Sequence, residues 1–460
     1  MVGDSAPIAG LPVMPRRSRV GAGPRRHSHA GVSIEWLVVG LTAAALLALG
    51  TVSPELLNAW HIHYISAGGG FYEKIHPATY LTFAAFILLL FRGGDAVGEV
   101  DRMISNSKLL MVYFFACVLL TFQCIVLKRP FSNVLDTFML PAMLSLIIWS
   151  LTPSQRKPMV FVIHLVVWIN ILIGFYEYFS KHRLVPITLG KLVVTDWRST
   201  ALLGHPLTAA GVVAMYIMAL ILVPRLRPRS LWVLPALFVA VCSLMVFGGR
   251  TALVSVIVVF AGTALVQCVR LVFGQRVGLP AVILAICSIM LVGAAIPILF
   301  SSGTFDNMIT RFASDNGSAH ARVASLHLLS LFDWKELMLG TSSVRSGSLQ
   351  TMMGLDYGIE NFWIACIVQY GIIQTALLTL GLVCFFVEIL RRSSGGARVA
   401  VLFICIVAAS SVSFSSKNIT LALYVALIVL LLPRGQVRQS VRTGLRVRRR
   451  FAGATAIPAR

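Results

Sequence analysis

Apolar residues run along this chain in long blocks separated by short polar stretches. A helix that crosses a bilayer needs about twenty mostly apolar residues. Twelve runs approach that length: 34–52, 77–91, 108–127, 134–152, 159–179, 201–223, 231–247, 251–270, 279–299, 361–389, 399–414 and 418–432. Only Gly248, Gly249 and Arg250 interrupt the stretch from 231 to 270, and the last two runs are short. The pattern predicts an all-α polytopic membrane protein of about twelve transmembrane helices. Residues 34–299 hold helices one to nine, 300–360 form a large loop, and 361–432 hold helices ten to twelve. The flanks, 1–33 and 433–460, are rich in Arg and read as basic tails, the first of them disordered.

The long loop carries its own pattern. Phe305, Met308, Ile309 and Phe312 recur at helical spacing behind Thr304, an N-cap residue type. A turn signal at Asp315-Asn316-Gly317-Ser318 is followed by a second expected helix over about 319–332. Such short amphipathic helices suit a membrane surface or the mouth of a cavity.

Composition agrees with a bilayer as solvent. Hydrophobic residues make up 57% of the 460 residues and charged residues 12%, about half the charge of a soluble domain. The net charge of +22 would suit nucleic acid, but its distribution does not. With the N-terminus in the cytoplasm, 26 of the 39 basic residues fall in cytoplasmic segments, and every cytoplasmic connection holds at least two. The positive-inside rule therefore favours an even number of spans, with both termini cytoplasmic in a bacterial inner membrane and no nucleic-acid partner. The eight cysteines all sit in apolar runs without a C-x-x-C pair, as packing residues do.

Cytoplasmic connections are short, whereas the outside segments 53–76, 180–200 and 300–360 are long. That asymmetry places the chemistry outside. Within the spans, His164 and Asn170 suit hydrogen bonds between helices. Asp136 sits in a first turn, and Glu177 and Glu388 lie near helix ends within reach of water. Arg198, beside Trp197 and ahead of Gly204-His205-Pro206, could grip a phosphate with its planar fork or anchor at the interface. Arg250 opens a helix after two glycines, on the side the charge rule disfavours for a cation. The long loop adds Arg311, His320, Arg322, His327 and Arg345, and ends in Glu360-Asn361, where a carboxylate can act as a general base or simply begin a helix. Lys74 and His76 follow Gly68-Gly69-Gly70 in the first outside loop. Two histidines alone are too few for zinc. The chain has no P-loop, no HExxH and no paired acidic metal motif, so no metal or cofactor is expected.

These residues resemble the O-antigen ligase and polysaccharide polymerase superfamily of bacterial inner membranes. The likeness rests on Trp197-Arg198 through Gly204-His205-Pro206, on Gly249-Arg250-Thr251-Ala252, on Arg322 ahead of Trp334 and Gly340, and on Glu360-Asn361-Phe362-Trp363 with Tyr370-Gly371 behind it. It spans residues 70–430 and is nearest to the exopolysaccharide polymerase branch. Ligases of the superfamily usually carry His-Asn where this chain has Glu360-Asn361.

The resemblance implies metal-independent glycosyl transfer on the periplasmic face. The donor would be a glycan on undecaprenyl pyrophosphate, the acceptor a hydroxyl of another lipid-linked repeat. Membrane lipids and other polysaccharide assembly proteins would be further partners. Arg198, Arg250, Arg311, Arg322 and Arg345, with Lys74 and Asn361, would hold pyrophosphate and glycan. Glu360, His320 and His205 are the candidates for the catalytic group, with the base undecided between Glu360 and a loop histidine. The competing readings are a ligase that transfers finished glycan to a lipid or protein, and a transporter or flippase for lipid-linked sugars.

Overall fold

The structure, a computed structural model, describes residues 29–434 except 67, 186–187, 190–191, 194–197, 223–232, 275–285, 287–289, 291–292, 294–317, 356–357, 360, 411–413 and 415–416. The side chains of 29–33, 188–189, 192–193, 233–234 and 318–322 are likewise outside the description. The apolar runs become α1 (His29–Thr51), α3 (Pro77–Phe91), α5 (Lys108–Val126), α6 (Leu140–Ser150, entered through a π-helical turn Val134–Met139), α7 (Pro153–Ser180), α8 (Pro206–Leu222), α9 (Val233–Phe247) and α10 (Arg250–Val272). Short α2 (Pro54–Ala59) and α4 (Ala96–Asn106) lie between them. The long loop contributes α11 (Ser318–Leu329), α12 (Trp334–Leu339) and α13 (Ser343–Met352). The chain then continues through α14 (Phe362–Tyr370), α15 (Ile372–Arg392), α16 (Ala397–Ser410) and α17 (Thr420–Leu431). A two-stranded hairpin of two residues each, Thr188–Leu189 with Leu192–Val193, and an isolated antiparallel bridge between Ser393 and Pro433 add extended pairing.

Five helices are long and apolar enough to cross a membrane, and a sixth span arises if the bent pair α3 and α4 is counted as one. Shorter apolar helices stand beside them, so the chain is an all-helical protein whose helices suit a polytopic membrane protein. The run 279–299 and the expected helix at 304–312 lie outside the described residues.

α17 is the axis of the bundle. Every residue from Thr420 to Leu431 is buried, as expected of a helix apolar on all faces. It packs against α6 and α8, while α1 lies against α3 and α7, and α5 against α15. Small residues let these helices approach. A Cβ on Gly211 would stand 1.9 Å from the Tyr424 hydroxyl, and one on Gly50 would stand 1.9 Å from Val166. Phe115, Phe122, Phe161 and Leu172 instead face outward.

One predicted helix changes. The run 361–389 is not one helix. It breaks at Gly371 (φ +87°), where a Cβ would meet the Met338 carbonyl at 2.2 Å, so the chain must turn to let α12 sit on it. Arg129 clamps the contact, donating to the carbonyls of Leu339 (2.9 Å), Gly340 (2.7 Å) and Gln369 (2.8 Å). The connection after α3 is also a helix: α4 turns away from α3 by 108°. It exposes Val97 and Ile104 while Glu99 pairs with Arg92 and Arg102, the division expected of a helix lying in an interface.

Polar contacts gather at the two ends of the bundle. At one end Gln155 donates to Glu35 (2.9 Å), Arg92 pairs with Glu35, and Arg392 pairs with Glu388 at 2.7 Å while covering the Trp149 ring. Glu388 is buried and satisfied by Arg392, rather than reaching water. The opposite end carries the loops 53–76 and 180–200 and the approach to α17, and the candidate site is there.

Candidate functional site

Two buried carboxylates hold this loop end together. Asp136, fully buried, accepts from Thr79 Oγ1 (2.6 Å), the Tyr64 hydroxyl (2.8 Å) and the His76 backbone N–H (3.2 Å). Lys417 Nζ stands 3.7 Å from it and 3.7 Å from the centre of the Tyr64 ring, and donates to the carbonyls of Tyr64 and Lys74. Burial lowers the Lys417 pKa to about 8, against the pull of Asp136. Burial likewise takes the His76 imidazole down to about 4. The ring is therefore neutral, with Nδ1 accepting from Ala78 N–H (3.2 Å) and Nε2 donating to the Val52 carbonyl (2.8 Å). Asp136 thus joins three segments remote in sequence. A carboxylate with this many donors is a structural tie.

Glu177 is the second. It was expected to reach water, but it is fully buried and accepts from the backbone N–H groups of Leu184 (2.9 Å), Thr200 (2.8 Å) and Ala201 (3.0 Å). Asn170 adds a bond from Leu202 N–H (3.1 Å) and donates to the Gly50 carbonyl on α1 (2.8 Å). Ser199 donates to the Gly174 carbonyl, and Arg183 to the carbonyl of Arg198. Residues 198–203 are held on both sides, which fixes where Arg198 and His205 stand.

The junction they frame is less saturated. Gly204 takes φ +74°, and a Cβ there would meet Glu55 Oε2 at 2.1 Å and Ser53 Oγ at 2.7 Å. Only glycine lets the carboxyl of Glu55 sit against this backbone. Ser53 caps α2 by accepting from Leu56 N–H (3.2 Å), and Pro54 starts the helix. Burial lifts the Glu55 carboxyl to about 7, so it stands half-ionised near neutrality. His205 follows directly. Its Nδ1 accepts from Leu207 N–H (3.3 Å). Because Nδ1 accepts, the neutral ring carries its proton on Nε2. It can donate a hydrogen bond but has no free lone pair for a proton. The Arg198 side chain runs over Gly248, 2.9 Å from where a Cβ would lie, and Gly249 presses on Ala210 of α8.

From this junction an apolar groove runs along α8, α10 and α16. Its larger part, about 440 Å³, is lined by Val254, Val258, Leu402, Phe403 and other apolar side chains, with Arg250, Thr251 and Ser255 as its polar members. A narrower part of about 60 Å³ shares Thr251 and Phe403 and reaches Leu207, Gly211 and Gly249. A hydrocarbon chain fits such a lining, and Arg250 is the cation among its polar members.

The structure thus brings Arg198, His205 and Arg250 to one junction. It uses other expected residues elsewhere. Lys74 donates to the carbonyls of His63 (2.6 Å) and Ser66 (2.5 Å), closing its own loop. Arg345 pairs with Glu336 at 3.0 Å inside the long loop. Asn361 caps α14, accepting from Trp363 and Ile364 N–H. His320 and Arg322 lie on α11 with side chains outside the description, and Arg311 and Glu360 are outside the described residues. His164 and Asn170 do link helices, His164 through Tyr216 at 2.7 Å. Among the described residues no three His, Cys, Asp or Glu side chains form a metal-binding group. Glu55 belongs to no chemical motif. Its signal is the helix start Ser53-Pro54-Glu55 inside an outside loop, which fixes a carboxyl in space without saying what faces it. No protein-family model matches the chain, and no curated protein is significantly similar to it.

Proposed function

We propose that the chain is a polysaccharide polymerase of the bacterial inner membrane. In this reading it has twelve spans with both termini in the cytoplasm, and the end carrying Asp136, Glu177 and Glu55 faces the periplasm. It joins repeat units carried on undecaprenyl pyrophosphate by glycosyl transfer. The observation that supports this best is the groove. Its apolar walls suit a polyprenyl chain, and its polar members, Arg250 with Thr251, adjoin the backbone that carries Arg198 and His205. A lipid tail in the groove would deliver its pyrophosphate to two guanidinium groups.

The chemistry needs positive charge at that place. As the anomeric bond to pyrophosphate breaks, the negative charge on the leaving group rises, and fixed donors lower the barrier. His205 adds an Nε2–H donor. The acceptor repeat supplies a hydroxyl, and its lipid carrier anchors it in the same membrane.

Arg198→Ala and Arg250→Ala should each leave the protein in the membrane while cutting polymer formation by about 100- to 1,000-fold, the usual cost of one such donor. Lipid extracts of a strain lacking the chain should accumulate single lipid-linked repeats. Full-length polymer still attached to its carrier would instead support a ligase, and normal polymer length in both Arg variants would overturn the polymerase reading.

A further inference from the structure

The geometry points to Glu55 as the base that takes the proton of the acceptor hydroxyl; this rests on the polymerase reading above. The resemblance leaves the base open between Glu360, which is outside the described residues, and a loop histidine; three described groups at this end of the bundle are already engaged. His205 is engaged at Nδ1 by Leu207 and carries its proton on Nε2. His76 is sealed between Ala78 and Val52. Asp136 is saturated by Thr79, Tyr64, His76 and Lys417.

Glu55 differs from all of these. It is half-buried, its carboxyl rests on the glycine that precedes His205, and it accepts from its own backbone N–H with no ion pair to a described residue. Its own helix, α2, holds no other titratable group. Around it stand Tyr64, within electrostatic reach, and beyond Gly204 the side chains of His205 and Arg198. Lys417, over the Tyr64 ring, is the neighbouring cation, and burial takes its pKa to about 8; burial brings the Glu55 carboxyl to about 7.

The step balances within the residues and substrates named. The acceptor hydroxyl oxygen forms a bond to the anomeric carbon of the donor glycan as its proton passes to the Glu55 carboxylate. The bond from that carbon to the pyrophosphate oxygen breaks, and its electron pair leaves with polyprenyl pyrophosphate. Glu55 then returns the proton to water. A carboxyl held close to neutral pKa can both accept that proton and release it.

The test uses the full-length protein in nanodiscs, with single lipid-linked repeats extracted from a strain lacking the chain. Glu55→Gln should lower turnover by at least about 100-fold with little change in KM. The wild-type rate should fall as pH drops below about 7, and the residual rate of E55Q should not. Glu55→Asp should retain more activity and move the pH midpoint. Formate should restore part of the rate to Glu55→Ala. Turnover of E55Q within about threefold of wild type, or an E55D midpoint equal to that of wild type, overturns the assignment even where the polymerase stands. Absence of polymerisation by the wild-type chain overturns both. Size-exclusion profiles of each variant separate lost chemistry from lost folding, and E55D keeps the pH readout should E55Q fail to fold.

Discussion

Asp136 and Lys417 are each half of a buried pair, and neither is satisfied alone. Replacing Asp136 by Asn keeps the shape but leaves the Lys417 ammonium, 14% exposed, without its counter-charge. Removing one partner of a buried pair costs about 3–5 kcal/mol, so D136N should lower the melting temperature in detergent sharply. The double variant Asp136→Asn with Lys417→Met should recover much of that loss, because no buried charge is left over. Additive losses in the two single variants would show that the pair does not couple. Neither residue was assigned chemistry from the sequence, and the reason is physical. A buried ion pair between segments remote in sequence leaves no local pattern, whereas an interhelical histidine such as His164 is already conspicuous in an apolar run.

Elements were more legible than contacts. The apolar runs gave α3, α5 and α10 nearly to their ends, because a spanning helix needs little beyond length and apolarity. The break at Gly371 was not legible. It depends on α12 pressing its Met338 carbonyl into the helix path, a tertiary event. The same limit applies where α8 meets α17. Gly211 reads as one more small residue in a helix, yet it is the contact that seats Tyr424. Gly211→Ala places a methyl 1.9 Å from the Tyr424 hydroxyl but 3.1 Å from its ring carbon. Overpacking of this kind costs about 1–3 kcal/mol, and the added Tyr424→Phe should relieve most of it. Thermal unfolding of G211A, Y424F and the double variant checks this. A double variant no more stable than G211A would mean that the hydroxyl is not the obstacle.

At the scale of the whole molecule, the two ends divide the work. One end is laced by Glu35, Arg92, Gln155 and Arg392 with short connections between helices. The other holds the carboxylate ties, the Glu55 junction and the mouth of the groove. The proposed chemistry requires that second end to face the periplasm, where lipid-linked repeats are polymerised in this reading. The same reading puts the first end, with its basic connections, in the cytoplasm. The 28-residue helix α7 ties the two requirements together, since at 1.5 Å per residue it reaches about 42 Å, enough to cross the bilayer. Its flanks carry exposed Lys157 at one end and His182 at the other. In a background with the native cysteines replaced, a cysteine at 182 should react with a membrane-impermeant maleimide in cells with a permeabilised outer membrane. A cysteine at 157 should react only after the inner membrane is broken. Reversed reactivity would put Glu55, Arg198 and the groove mouth on the cytoplasmic face. Single lipid-linked repeats would then have to be joined before export, and the division of charge between the ends would need another cause.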